Sequence, residues 1–295
     1  SRLMVISYQV MIMIRLIALD LDDTTLLPGG ILDDFTRDTL AQTAARGVEV
    51  VAASGRSFAS LPQEVMSIPG INYAISSNGA ALVDTRSGER IAAFTLRRDC
   101  VLRILELFRG ELFEGFVDGK AYCDARYYAD PVRFGCTPDY VGYVHTTRTP
   151  VGDMPAFLFE NADRLDSIDV LCGTAEHKAE LMPKTERIGS VYVTSSAPRL
   201  IEISDAESGK GKALRRLSEL LGIPREDIAA FGNGDNDADM LKFAGTGVAV
   251  ANASDACKKA ADIICESNAE NGVAKTVLRF IKQKSLAEFC ADTNL

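Results

Sequence analysis

Apolar and polar positions fall in blocks along this chain, and the blocks set the expected elements. Leu16, Ile17, Ala18 and Leu19 form a short, wholly apolar run, the pattern of a strand buried on both faces. In "DDFTRDTLAQTAARG", Asp33 or Asp34 can cap a helix, Phe35 and Leu40 carry its apolar spacing, and Gly47 stops it. A strand "VEVVAAS", a "GR" turn, a helix-like stretch to Met66 and a further strand "YAISSNGA" follow. Repeated strand–helix–strand order predicts a parallel sheet with helices on both faces, an α/β fold. Between about Asp84 and Ser204 the pattern changes to a mixed α+β insert. There "FEGFVDGKAYCD" places two strands around an Asp118–Gly119 turn. "SIDVLCG" and "VYVTSS" are further strands, flanking a helix-like "AEHKAELMPKTER". From Lys210 onward strand and helix alternate again, with no long repeat and no low-complexity linker.

Composition narrows the function classes. The 295 residues carry 32 basic and 41 acidic side chains, a net charge of −9, which argues against a general nucleic-acid binder. It leaves room for a small phosphorylated molecule, because local cations and metals override net charge. Cysteines 100, 123, 136, 172, 257, 265 and 290 are scattered and never spaced C-x-x-C, so neither a zinc site nor a disulfide framework is expected. Reduced thiols in a cytoplasmic protein are the expectation. The opening "SRLMVISYQVMIMIRL" resembles a signal-peptide apolar region but lacks an A-x-A-like cleavage site. We take it as a leader, with the natural start at Met11 or Met13. No other segment approaches the roughly 20 apolar residues of a membrane span.

Four short stretches carry candidate chemistry. The first strand ends on Asp20, Asp22 and Asp23. Like charges about 4 Å apart repel by roughly 4 kcal/mol at an effective dielectric of 20, so a divalent cation or a solvated loop must compensate. In an extended segment residues i and i+2 share a face, so Asp20 and Asp22 can address one substrate while Asp23 points away. One carboxylate can attack phosphorus and the other can move a proton, although a helix cap or solvated turn would use the same residues. Ser54 and Gly55 end the second strand, where a hydroxyl and free N–H groups can hold a phosphate; a plain strand-to-helix turn is the commoner role of S-G-R. In "SGKGKAL", Ser208 is placed to cap a helix whose buried stripe is Ala213, Leu214, Leu217 and Leu221. Lys210 in its first turn opposes the helix dipole, so a bound phosphate or the acidic cluster must justify it. No G-x-x-x-x-G-K-[ST] loop is present, and Lys212 is expected to be solvated. In "AAFGNGDNDADM", a calcium loop starting at Asp235 fails, because Met240 and Thr246 stand where Gly and Glu are required. Arg56 and Asn78, at strand ends, are candidates for substrate contact. The two histidines, His145 and His177, lie far from every motif and are expected on the surface or in structural roles. The aromatic and basic segment Asp124–Gly135 fits a specificity surface or ordinary packing equally.

In this order, after successive strands, these motifs resemble the haloacid dehalogenase superfamily of aspartate-nucleophile phosphotransferases, and the Cof-type sugar-phosphate phosphatases in particular. The likeness runs from Arg15 to about Ile281 and rests on "DLDDT", Ser54, the "SNGA" turn, Lys210 in "KGKAL", "GNGDNDADM" and "GVAVANAS". It implies a Rossmann-like core formed by residues 11–84 and 205–295, with an α+β cap for substrate specificity at 85–204. It also implies Asp20 as nucleophile, Asp22 as general acid/base, and Ser54 and Lys210 as ligands of the transferring phosphoryl group. Gly55, Arg56, Asn78 and Asn236 are the expected further substrate contacts. Magnesium would lie on Asp20, the Asp22 backbone carbonyl and motif four. The family usually reads G-D-x-x-N-D there; this chain has Asn233 at the first acid. Asn233 and Asp237 are the expected ligands, with Asp235 as the alternative. The implied function is a magnesium-dependent phosphatase of small phosphorylated metabolites working through an aspartyl phosphate, with neither nucleic acid nor membrane as partner. A phosphomutase of the same superfamily and a non-catalytic phosphate-binding protein are the alternatives; Asp22 and the large insert favour an enzyme.

Overall fold

The structure, a computed structural model, describes residues 13–292, with side chains of the last helix described as far as residue 282. The expected leader and a start at Met11 lie outside the described residues. Two sheets organise the chain. The first comprises β1 (Leu16–Leu19), β2 (Glu49–Ala53), β3 (Tyr73–Ser76), β4 (Ala81–Asp84) and β5 (Arg90–Ala93). The second comprises β6 (Leu112–Val117), β7 (Lys120–Asp124), β8 (Arg148–Val151), β9 (Leu165–Leu171), β10 (Val191–Thr194) and β11 (Leu200–Asp205). The chain then returns to the first sheet with β12 (Ile228–Gly232), β13 (Thr246–Val250) and β14 (Ile263–Cys265).

The first sheet has the order β14-β13-β12-β1-β2-β3-β4-β5. It is parallel from β14 to β3, and its edge strands β4 and β5 run antiparallel. β1 is buried along its whole length, which is why its sequence is apolar without alternation. Its register sets Leu19 beside Ala52 of β2 and Phe231 of β12. Asp20, Ser54 and Asn233 therefore leave the sheet at one edge, the carboxyl ends where ligands bind in open α/β sheets. Because this sheet includes β5, the core runs past residue 84, where the sequence reading ended it. β5 is a short, half-exposed edge strand, so it carries no buried apolar run to announce it.

The helix Asp34–Ala45 begins as expected, with Asp33 accepting from Thr36 N–H at 2.9 Å. Phe35, however, stands 41% exposed. The buried face is Thr36, Thr39, Leu40 and Thr43, and the Thr43 hydroxyl is satisfied by the Thr39 carbonyl at 2.7 Å. In the helix Lys210–Leu221, Ala213, Leu214 and Leu217 are buried and Leu221 is partly so. Its N-cap is Gly209 and not Ser208, whose hydroxyl is buried without a hydrogen-bond partner.

The second sheet has the order β10-β11-β9-β6-β7-β8. The β6–β7 hairpin turns on Asp118 (φ 49°) and Gly119 (φ 77°), the left-handed pair that matches the twist of two antiparallel strands. One face of this sheet carries Phe113, Ile168, Val170, Ile201 and Ile203, and packs with Val101, Ile104, Met154 and Leu158. Its other face is turned toward the carboxyl edge of the first sheet, as the contacts below show.

Candidate active site

The backbone of Asp20 is clamped at the end of β1. Its N–H donates to the Phe231 carbonyl at 3.0 Å, and its carbonyl accepts from Thr25 Oγ1 at 2.6 Å. The residue is 5% exposed. Oδ1 accepts from Lys210 Nζ at 2.8 Å, whereas Oδ2 is buried with no hydrogen-bond partner. Burial, reinforced by the charge of Asp237, pushes the Asp20 carboxyl up to about 7 against the pull of Lys210. Lys210 is wholly buried, and its Nζ also donates to Asp237 Oδ1 at 2.6 Å. Burial disfavours this ammonium, but the charges of Asp20 and Asp237 outweigh burial and hold its pKa above the ordinary value. Two carboxylates thus answer why a cation sits in the first turn of a helix.

Motif four is folded around Asp237, whose Oδ2 accepts from the N–H groups of Asn233 and Gly234 at 2.9 Å each. Gly232 permits this wrap, since a Cβ there would lie 2.4 Å from that of Asp237. The "SNGA" turn delivers the lysine. The Asn78 carbonyl accepts from Gly209 N–H at 2.9 Å, and a Cβ on Gly79 (φ +87°) would lie 2.2 Å from the Gly209 oxygen.

Asp22 is held by Arg56, which donates from Nε to Oδ2 at 2.8 Å and from Nη2 to Oδ1 at 2.5 Å. The Arg56 guanidinium also stacks on Tyr143 of the insert, 4.3 Å from the ring centre, and Arg148 stacks on the same ring at 4.7 Å. Asp23 is exposed and turned away, in a left-handed conformation. Ser54 is buried and its Oγ accepts from Arg56 N–H at 3.1 Å. Asn78 and Asn236, expected to touch substrate, are instead bonded to each other, Asn236 Nδ2 donating to Asn78 Oδ1 at 3.0 Å. Asn78 Nδ2 donates in turn to Glu202 of β11 at 3.2 Å. These two amides link the turn after β3 to motif four and to β11. His177 pairs with Glu111, and His145 contacts Tyr128, both away from this edge; Lys212 is exposed.

Among the described residues there is no cluster of three His, Cys, Asp or Glu suited to a metal ion. Asp237, expected as a metal ligand, accepts from Lys210 and from two backbone amides. Asp235 is exposed and accepts from Ser254 Oγ at 2.6 Å. The set that fits a hard cation is the unpartnered Asp20 Oδ2, the Asp22 backbone carbonyl and the Asn233 amide, which makes no side-chain hydrogen bond among the described residues. All are oxygen donors, as magnesium requires.

The motif order, the sheet and the buried aspartate–lysine pair can be set against known proteins. A model of haloacid dehalogenase-like hydrolases matches residues 17–277. The chain belongs to that family. It is a phosphatase of its Cof type, built on an α/β core with an inserted second sheet. Phosphatase YwpJ of Bacillus subtilis (strain 168) is 31% identical over 283 residues, spanning 88% of this chain and 97% of its own. Pyridoxal phosphate phosphatase YbhA of Escherichia coli (strain K12) is 27% identical over 268 residues, spanning 89% and 97%. A solved haloacid dehalogenase-like hydrolase from B. subtilis superposes with a TM-score of 0.76 at 29% identity, covering 90% of this chain and 99% of that one. Motif matching within the family leaves out Glu114, Tyr143, Arg148, Asp169 and Glu202. The three acids had a signal of their own: "LFEGFV" and "LIEIS" each place one carboxylate, and "DSIDVL" two, within a strand.

Proposed function

We propose that this phosphatase hydrolyses monoesters of small phosphorylated metabolites in a magnesium-dependent reaction through an acyl phosphate on Asp20. The observation that supports it most is the Asp20 carboxylate itself. It is buried at the sheet's carboxyl edge, with one oxygen on Lys210 and the other without a partner. An Asp20 oxygen attacks phosphorus, and the ester P–O bond breaks with its electron pair on the leaving oxygen, which takes a proton from Asp22. A water molecule then attacks the phosphorus, Asp22 takes its proton, and inorganic phosphate leaves as the Asp20 carboxylate is restored. Lys210 Nζ, the Ser54 hydroxyl and the Gly55 N–H are the groups that would hold the phosphoryl oxygens. Asp22 cannot reach a leaving oxygen while Arg56 occupies both its own. A phosphate dianion competing for the same guanidinium fork would release it. Magnesium, when bound to Asp20, the Asp22 carbonyl and Asn233, would supply positive charge toward the phosphoryl group. The inserted sheet, residues 112–205, serves as the cap.

The test is phosphate release from a panel of phosphate esters with magnesium, with chelator, and after magnesium is restored. Acid quenching with a radiolabelled ester should leave label on Asp20. Release that ignores chelation overturns the metal requirement, and a stable transfer of phosphate within one sugar would mark a mutase instead.

A further inference from the structure

Glu114, Asp169 and Glu202 lie side by side on three neighbouring strands. Asp169 of β9 pairs in register with Glu114 of β6 and with Glu202 of β11. Their exposures are 3%, 3% and 4%, so the row is buried. Adjacent like charges in a sheet are unfavourable, and buried ones need partners. The outer two have them. Arg148 grips Glu114 from Nε and Nη2 at 2.9 and 3.2 Å. Glu202 accepts from the Ser196 hydroxyl at 3.0 Å, from the Ser196 N–H, and from Asn78 of the core. Asp169 in the middle feels the charges of Arg148 and Arg199 but its Oδ1 is buried without a hydrogen-bond partner. The second cation of this region, Arg199, contacts the Tyr127 hydroxyl at 3.5 Å and makes no hydrogen bond to Asp169.

The row also closes a circuit over the catalytic edge. At one end Glu202 meets Asn78, which meets Asn236 of motif four. At the other, Glu114 leads through Arg148 and the Tyr143 ring to Arg56 and Asp22. Asp169, between the two ends, has a buried acceptor oxygen that no donor meets. An apolar residue would serve a purely structural position better, because a buried polar group without a partner is destabilising.

We propose that Asp169 is a specificity residue that accepts a hydrogen bond from the leaving group, so that preferred esters carry a hydroxyl or ammonium donor on the alcohol portion. This rests on the phosphatase reading above. It excludes apolar and simple aryl leaving groups from the preferred set, since a site built to meet a donor discriminates against a ligand that lacks one.

The experiment compares kcat/KM for p-nitrophenyl phosphate, a hexose 6-phosphate and a 2-amino-2-deoxyhexose 6-phosphate in the wild type, Asp169→Asn and Asp169→Ala. Asp169→Ala should lose about 3- to 10-fold more on the better hexose ester than on the aryl ester, the size of a hydrogen bond between uncharged groups. Asp169→Asn keeps an acceptor oxygen. It should restore most of the loss if the donor is a hydroxyl and little if it is an ammonium. Equal losses on all three esters would overturn the proposal, and so would no loss. A second readout does not depend on turnover: calorimetric binding of the same hexose esters to Asp20→Asn and to Asp20→Asn/Asp169→Ala. Weaker binding of the hexose esters to the double variant supports Asp169 as their acceptor, and equal binding overturns it. Failure of phosphate release with retained, Asp169-dependent binding would overturn the catalytic reading alone.

Discussion

The Asp20 carboxylate is where residue chemistry and fold meet, because one atom of it is satisfied and the other is free in a buried place. Asp20→Asn keeps the shape and removes the nucleophile. Turnover should fall by at least about 10³-fold, roughly 4 kcal/mol of transition-state stabilisation, with an unchanged circular dichroism spectrum. Retained hydrolysis by the purified variant would rule out a covalent intermediate. Asn233 stands where an acid is usual, and the Asp237 oxygens accept from Lys210 and two amides. Asn233→Asp should therefore lower the magnesium concentration for half-maximal activity, because hard cations favour carboxylate oxygen. A magnesium titration that does not move would place residue 233 outside the metal shell.

At the scale of elements, the catalytic edge is assembled by turns more than by strands. Ser77, Asn78 and Gly79 follow β3 in successive left-handed conformations, and Gly79 lies against Gly209, the residue that starts the helix carrying Lys210. Gly79→Ala would force a Cβ to within 2.2 Å of the Gly209 carbonyl. Backbone has to move there, so we expect a loss of about 1–3 kcal/mol in stability together with a lower kcat, as Lys210 shifts from Asp20. Denaturant unfolding and steady-state rates measured on the same preparation check both parts. A destabilised enzyme with an unaltered kcat would show that the turn supports the fold without positioning the lysine.

For the whole molecule, the buried acid row links the cap's composition to pH. Burial, with the charges of Glu202 and Glu114 added, raises the Asp169 carboxyl well above its ordinary 3.8, against the pull of Arg148 and Arg199. Above the unfolded pKa the folded chain retains a proton that the unfolded chain has released. Stability through this group therefore declines as pH rises from about 4 toward the folded pKa. Asp169→Asn removes that linkage. The variant should be more stable than the wild type near pH 8, and the gap should narrow toward pH 4.5, as urea unfolding at the two pH values would measure. A gap independent of pH would mean that Asp169 is ionised in both states.

How far the sequence alone reached follows from which interactions are local. The strand β1, the Asp33 cap, the Asp118–Gly119 hairpin and the interrupted α/β order were legible, because apolar periodicity, capping oxygens and left-handed turn residues act within a few positions of the chain. The placement of Asp20, Ser54 and Lys210 at strand and helix ends was legible for the same reason: each sits in a short local pattern. Pairings made across the fold were not. That Arg56 would grip Asp22, that Asn236 would donate to Asn78, and that Lys210 would donate to Asp237 depend on partners 34, 158 and 27 residues apart. The edge strand β5 escaped because a half-exposed strand has no apolar run. Asp169 stood in the sequence as one of two carboxylates, with Asp166, in the stretch that forms β9. Only the registers of β6, β9 and β11 set it between two other acids, because strand pairing joins residues far apart in the sequence.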